Sequence, residues 1–256
     1  MNIEVNRHNR ITVITINRPA ARNAVDGPTA TELAEAFKSF DADPGADVAI
    51  LTGASQTFCA GADLKAVATG DGNRVSTRGD GPMGPTRMLL SKPVLAAVEG
   101  HAVAGGLELA AWCDLRIAAE NAVFGVYCRR WGVPLVDGGT IRLTRLLGTS
   151  RAMDLILTGR GISGEEALQM GLVNRLSKPG QALNDALALA EQLCQFPQNC
   201  MRSDRLSAYK QWDQPLESAL IQETELGLAV IKSGETAAGA ARFAAGKGRH
   251  GDFKEI

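Results

Sequence analysis

The chain is predicted to be an α/β protein built on a parallel sheet with helices on its faces. Three observations carry this expectation. Short apolar runs alternate with helical patterns through the first two thirds of the chain, the rhythm of βαβ units. A length of 256 residues can bury a large core, enough for one big domain or two unequal ones. After about Asp137 the pattern turns to almost continuous helix, with short segments apolar on one side, which reads as a helical layer rather than an independent domain.

The elements follow in order. Residues 1–19, MNIEVNRHNRITVITINRP, read as a hairpin rather than a signal or transit peptide, and residues 11–16 alternate as a strand. Residues 28–40 form an amphipathic helical pattern opened by Gly27-Pro28, where proline's missing N–H costs nothing. Residues 48–53 give a second strand, followed by a loop and a short helix near 62–68; strands at 94–98 and 115–118 complete the sheet. Candidate helices then cover 138–147, 150–158, 164–170, 182–194, 215–232 and 236–245. Residues 70–86, GDGNRVSTRGDGPMGPT, lack apolar periodicity and read either as a mobile loop near a pocket mouth or as a surface insertion.

Composition narrows the function classes. Charged residues make up 21% of the chain and the formal net charge is −1, which gives no electrostatic reason to expect nucleic-acid binding. No apolar run approaches the ~20 residues of a membrane span. Five cysteines without a CxxC pair read as reduced thiols of a cytoplasmic protein, and three scattered histidines offer no metal-ligand spacing.

The segment 92–118, KPVLAAVEGHAVAGGLELAAWCDLRIA, carries the chemistry. A strand-like run leads into a turn bearing Gly100, Gly105 and Gly106, and a helical pattern follows with one acid, Glu108, among apolar neighbours. An unpaired charge is costly to bury. Glycines ahead of a helix let backbone N–H groups point at a bound oxygen. The pattern predicts hydrogen-bond donors on one side of a pocket and a proton-transfer group on the other.

Five ordered motifs, NRPAARNA at 17–24, FCAGADLK at 58–65, the segment just described, GVPLVDGGTIRLTRLLG at 132–148 and LTGRGISGEEALQMGLVNRL at 157–176, resemble the crotonase, or enoyl-CoA hydratase/isomerase, family. The resemblance runs from about residue 11 to 243. It implies a crotonase-like ββα superhelix (spiral) core over residues 1–195 and a C-terminal helical region over 196–256 that serves packing and oligomerisation. A homotrimer or dimer of trimers is implied, with Leu216, Leu220, Leu226 and Leu228 offering apolar faces. The implied partner is an acyl-CoA substrate, with coenzyme A part of the substrate and no separate cofactor or metal.

The resemblance also assigns residues. Ala62 and Gly105 match the two backbone donors of an oxyanion hole that would hold a thioester carbonyl as it becomes an enolate. Arg22 matches a region that contacts CoA phosphates or nucleotide, or else is a solvated turn residue; the main chain around Ala60 and Leu64 would meet adenine. Phe243 matches the C-terminal aromatic. Lys247, with Arg249, would reach phosphate from a neighbouring subunit, although Lys247 lies one position beyond the usual lysine, where this chain has Gly246.

Glu108 matches the first of the two glutamates with which hydratases hold water; its alternative is a helix N-terminal acid stabilised by the dipole. Cys128 stands where the second glutamate is expected. A thiol is mostly neutral at pH 7 and a poor base, so Cys128 reads as a small pocket-lining residue ahead of a catalytic thiol. Asp137 matches a functional aspartate of dienoyl-CoA isomerases, and it could also be the N-cap of the helix that follows. His101 is expected to pack in neutral form under the oxyanion loop. Arg129, Arg130 and Trp131 read as surface residues unless one of the arginines enters the pocket and meets an acyl carboxylate. Hydration of a trans-2-enoyl-CoA is the leading expectation. The rivals are an isomerase using Glu108 and Asp137, a hydrolase of a thioester or β-diketone, and a non-catalytic acyl-CoA-binding homologue.

Overall fold

The N-terminal hairpin forms as expected: β1 (Ile3–His8) pairs antiparallel with β2 (Ile11–Ile16). The structure is a computed structural model that describes residues 1–251 and residue 253. Beyond the hairpin every pairing of the larger sheet is parallel, through β3 (Val48–Gly53), β4 (Val94–Val98), β6 (Leu115–Ala119) and β9 (Arg175–Ser177), in the order β1-β2-β3-β4-β6-β9. Strands buried on both faces read as unbroken apolar runs, and β4, VLAAV, is buried at every position.

The two faces of this sheet bury different partners. Val13, Ile50, Leu95, Ala97 and Ile117 pack against Ala186, Leu189 and Ala190 of α7 (Ala182–Gln195). The alternate residues Ile14, Leu51, Ala96 and Val98 belong to the main core with Leu33 and Phe37 of α1 (Gly27–Ala42) and with α3 (Gly105–Trp112). This is the period of two expected of a strand. Asp26 caps α1 by accepting from the Thr29 N–H at 3.0 Å, with Pro28 in the first turn.

A smaller sheet, absent from the sequence reading, joins β5 (His101–Val103), β7 (Val123–Gly125) and β8 (Gly161–Ser163). Each of its strands has three residues, too few for a periodic signal. The chain crosses from the large sheet to the small one twice, β4 to β5 and β6 to β7. Helix α3 follows the first crossing and is wedged in the core, where all eight of its residues are buried. Trp112 closes its end, edge-on to Phe37 at 4.9 Å and donating from Nε1 to the Met88 carbonyl at 2.9 Å.

The helical second part is interrupted by β8 and β9, which corrects the expectation of near-continuous helix. Its helices are α4 (Gly139–Leu147), α5 (Thr149–Thr158), α6 (Gly164–Met170), α7, α8 (Gln198–Lys210), α9 (Leu216–Lys232) and α10 (Glu235–Ala244). Helix α8 escaped the pattern reading because it buries no residue completely and is docked by charge. Arg202 meets the buried Asp47 at 2.7 Å, Arg205 meets Asp114 at 2.8 Å, and Glu235 accepts from the Asn199 and Cys200 N–H groups. The short helix near 62–68 runs instead over α2 (Leu64–Thr69), because Asp63 is its cap and accepts from the Lys65 and Ala66 N–H groups.

Candidate active site

Two turns meet at the N-terminus of α3. Val25 forms a lone parallel bridge with Ala62 in which the Val25 N–H donates to Gly61 O and the Asp63 N–H to Val25 O, at 2.8 and 2.9 Å. That pattern uses the atoms on either side of Ala62 and leaves the Ala62 N–H without an acceptor among the described residues. The Gly105 N–H, first in its helix, is likewise unused by the fold, as the opening N–H groups of a helix are. The two lie side by side: a Cβ on Gly61 would stand 2.9 Å from Gly105 N. Gly61 has φ +97°, so glycine suits it twice over. Ala104, ahead of Gly105, holds φ 53° and ψ −124°, sparsely populated backbone for alanine. Its N–H donates to the Gly125 carbonyl of the small sheet at 2.9 Å, which fixes the strained turn.

Glu108 lies one turn into α3 and is 2% exposed. Its Oε1 accepts from two backbone groups, the Asp137 N–H at 2.9 Å and the Gly139 N–H at 2.8 Å. The carboxyl therefore caps α4 from outside, while also facing the cavity. Burial, with the nearby Asp137 carboxylate adding to it, pushes its pKa up to about 7. A carboxyl poised there exchanges protons in both directions at neutral pH.

Asp137 is 3% exposed and does not cap the helix after it, which removes the N-cap alternative. The cap position belongs to Gly138, whose φ of 90° favours glycine. The Asp137 Oδ1 instead accepts from the Met83 N–H at 2.9 Å and from the Thr86 hydroxyl. Burial raises its pKa as well. Arg142 donates to the Asp137 and Thr86 carbonyls at 2.7 and 2.6 Å, tying the same two segments from behind. The loop of residues 70–86 is thus anchored at its far end, where Met83 and Thr86 are buried, while Gly70, Gly72, Asn73 and Val75 line the cavity.

One cavity of ≈ 760 Å³ joins these groups. Arg22, Ala60, Ala62, Leu64, Gly105, Glu108, Cys128 and Asp137 all line it. The family described as Enoyl-CoA hydratase/isomerase matches residues 6–254. The chain belongs to the enoyl-CoA hydratase/isomerase family. Enoyl-CoA hydratase EchA19 of Mycobacterium tuberculosis is 36% identical over 250 residues, 94% of this chain and 92% of the relative. A carnitinyl-CoA dehydratase of Salmonella arizonae is 42% identical over 75% of this chain and 74% of its own. The crystal structure of enoyl-CoA hydratase EchA1 from Mycobacterium marinum superposes with a TM-score of 0.90 at 38% identity, covering 95% of this chain and 96% of that one. The mixed sheets and crossing helices described above are the crotonase fold.

Within this member of the family, Cys128 is 7% exposed and sits in the short 3-10 turn Tyr127–Trp131. Burial, then the Glu108 charge, pushes its thiol up, so it is neutral at pH 7 and cannot act as a resting base. His101 is exposed and lines the cavity; it does not pack under the loop, because its place at the start of β5 turns it to the opening. Arg129 turns away to the Ile156 carbonyl at 2.9 Å, whereas Arg130 and Trp131 line the cavity. Phe243 is exposed at the end of α10 and Lys247 is exposed beyond it; neither lines this chain's cavity. Met83, Thr86 and Arg142 are the site residues sequence reading missed. Thr86 and Asp137 are 51 positions apart, and no local pattern links them.

Proposed function

We propose that the protein adds water reversibly across the C2–C3 double bond of a trans-2-enoyl-CoA thioester. The observation that carries this is Glu108, buried and poised near neutrality, in one cavity with the unused Ala62 and Gly105 N–H groups. The thioester oxygen accepts from those two donors, which are aimed before charge develops; one such donor is worth about 3–4 kcal/mol in the transition state. The water oxygen bonds to C3, the double-bond electrons shift to give an enolate held by the two donors, and C2 then takes a proton. Glu108 moves the protons. Asp137 orients or activates the water in place of the missing second glutamate. Arg22, Ala60 and Leu64 hold the CoA portion, and Cys128 lines the acyl side. Relatives named hydratase and dehydratase describe the two directions of such a reaction.

The test is direct. With crotonyl-CoA the conjugated absorbance falls under wild-type enzyme, and Glu108→Gln slows this by about 10²–10⁴-fold. Undiminished turnover by that variant removes Glu108 from the mechanism and sinks the reading. Cys128 favours one rival, since a neutral thiol offers no second hold on water: an isomerase that passes a proton between Glu108 and Asp137. Heavy-oxygen water decides, because only hydration places the labelled oxygen on C3.

The working unit is a homotrimer or dimer of trimers in the cytoplasm, with residues 196–256 as its packing and oligomerisation region. The exposed apolar residues of α9 and the five free cysteines support this. No helix of the described residues is long and apolar enough to cross a membrane.

A further inference from the structure

We propose that Arg130 selects acyl groups that carry a carboxylate, so that the substrate class is a carboxyacyl-CoA; this rests on the acyl-CoA reading above. The argument begins with the ring beneath the arginine. Tyr127 lies against two glycines: a Cβ on Gly125 would stand 2.6 Å from Tyr127 Cε1, and one on Gly161 2.5 Å from its hydroxyl oxygen. Both glycines belong to strands of the small sheet, so the ring is seated on rigid backbone. The Arg130 guanidinium stacks 4.0 Å from the ring centroid. Stacking pre-orients the planar fork and lowers the entropy lost when it grips a planar anion in two places.

That fork has no anionic partner. No carboxylate or carbonyl among the described residues accepts from Arg130, although the residue lines the cavity. The contrast with its neighbours is plain, since Arg129 is spent on the Ile156 carbonyl and Arg142 on two others. Position assigns the anion. Arg130 shares a short turn with Cys128, and Cys128 lines the cavity together with Glu108, so this turn borders the reacting end of the cavity. The other uncommitted arginine of the cavity, Arg22, stands instead beside Ala60, whose N–H donates to the Arg22 carbonyl at 3.2 Å. A phosphate of CoA suits Arg22; a carboxylate on the acyl group suits Arg130.

Calorimetric titration of the full chain tests this without turnover. The ligands are glutaryl-CoA and the uncharged pentanoyl-CoA of equal chain length, and the readout is the ratio of their dissociation constants. Wild type is expected to favour glutaryl-CoA by about ten- to hundredfold, the range of a charge-assisted hydrogen bond. Arg130→Gln brings the ratio toward one, and Arg130→Lys retains part of it. Arg130 is exposed, and near-ultraviolet dichroism of each variant checks that the fold is intact. A wild-type ratio near one overturns the proposal. So does an Arg130→Gln ratio equal to that of wild type with both affinities weakened, which would place Arg130 on CoA itself. Failure of both ligands to bind overturns the acyl-CoA reading beneath it.

Discussion

Glu108 has two jobs with different chemical requirements, and substitutions separate them. Its Oε1 accepts from the Asp137 and Gly139 N–H groups, and a glutamine amide oxygen keeps both bonds. Alanine removes both and strands two buried donors, so Glu108→Ala should lose about 1–3 kcal/mol of unfolding free energy relative to Glu108→Gln. Chemical denaturation checks the difference. The charge itself works against the fold. A carboxyl whose pKa rises from 4.5 to about 7 binds more protons folded than unfolded across that interval, so stability falls as pH rises through it. The melting temperature of Glu108→Gln should lack this part of the decline, and parallel slopes for the two proteins between pH 4.5 and 7 would contradict the assignment. Glu108 was legible in the sequence because an acid in an apolar helix is conspicuous. Its role as a cap for α4 was not, since Gly139 is 31 positions away.

At the scale of elements, the site depends on how closely α3 approaches the 58–62 turn. A Cβ on Gly106 would overlap the Cys59 carbonyl oxygen, so Gly106→Ala must push the helix and turn apart. The expected result is a folded enzyme with kcat reduced at least about tenfold, because the two donors no longer meet one oxygen. Unchanged kcat would mean that the donors do not work as a pair. Asp137 makes a second element-level contact, holding Met83 and Thr86 and so the end of the 70–86 loop. Asp137→Asn keeps an acceptor oxygen, whereas Asp137→Ala frees the segment; limited proteolysis within 70–86 should accelerate in the alanine variant alone. Helices with apolar stripes were read nearly to their ends, α6 over 164–170 among them. The three-residue strands and α8 were not, because a strand that short shows no period and α8 is docked by Arg202 and Arg205 rather than by an apolar face. What the sequence conveyed of the site was the position of each turn; which N–H groups stay free depends on the Val25–Ala62 bridge, a pairing of distant segments.

At the scale of the whole molecule, the C-terminal helices display what a core would normally hide. Leu216, Leu220, Ile221, Leu228 and Ile231 of α9 are all exposed, at 76%, 53%, 56%, 45% and 57%, and Phe243 of α10 is 61% exposed. Single apolar residues on a surface are ordinary, but several exposed along one helix are what the proposed subunit contact would bury. The proposed trimer covers this face, and it also gives Phe243 and Lys247 a neighbouring subunit's cavity to approach, since they do not line their own. Replacing both Leu220 and Ile221 with glutamate places charge in that interface, where an uncompensated buried carboxylate is strongly unfavourable. Sedimentation should then shift from a species of three or six chains to one near the 27.0 kDa of a single chain. If subunit contact completes the CoA site, the dissociated protein should bind acyl-CoA more weakly even though Glu108, Ala62 and Gly105 are untouched. Dissociation with unchanged affinity would place the whole CoA site within one chain, and an unshifted sedimentation profile would move the interface away from α9.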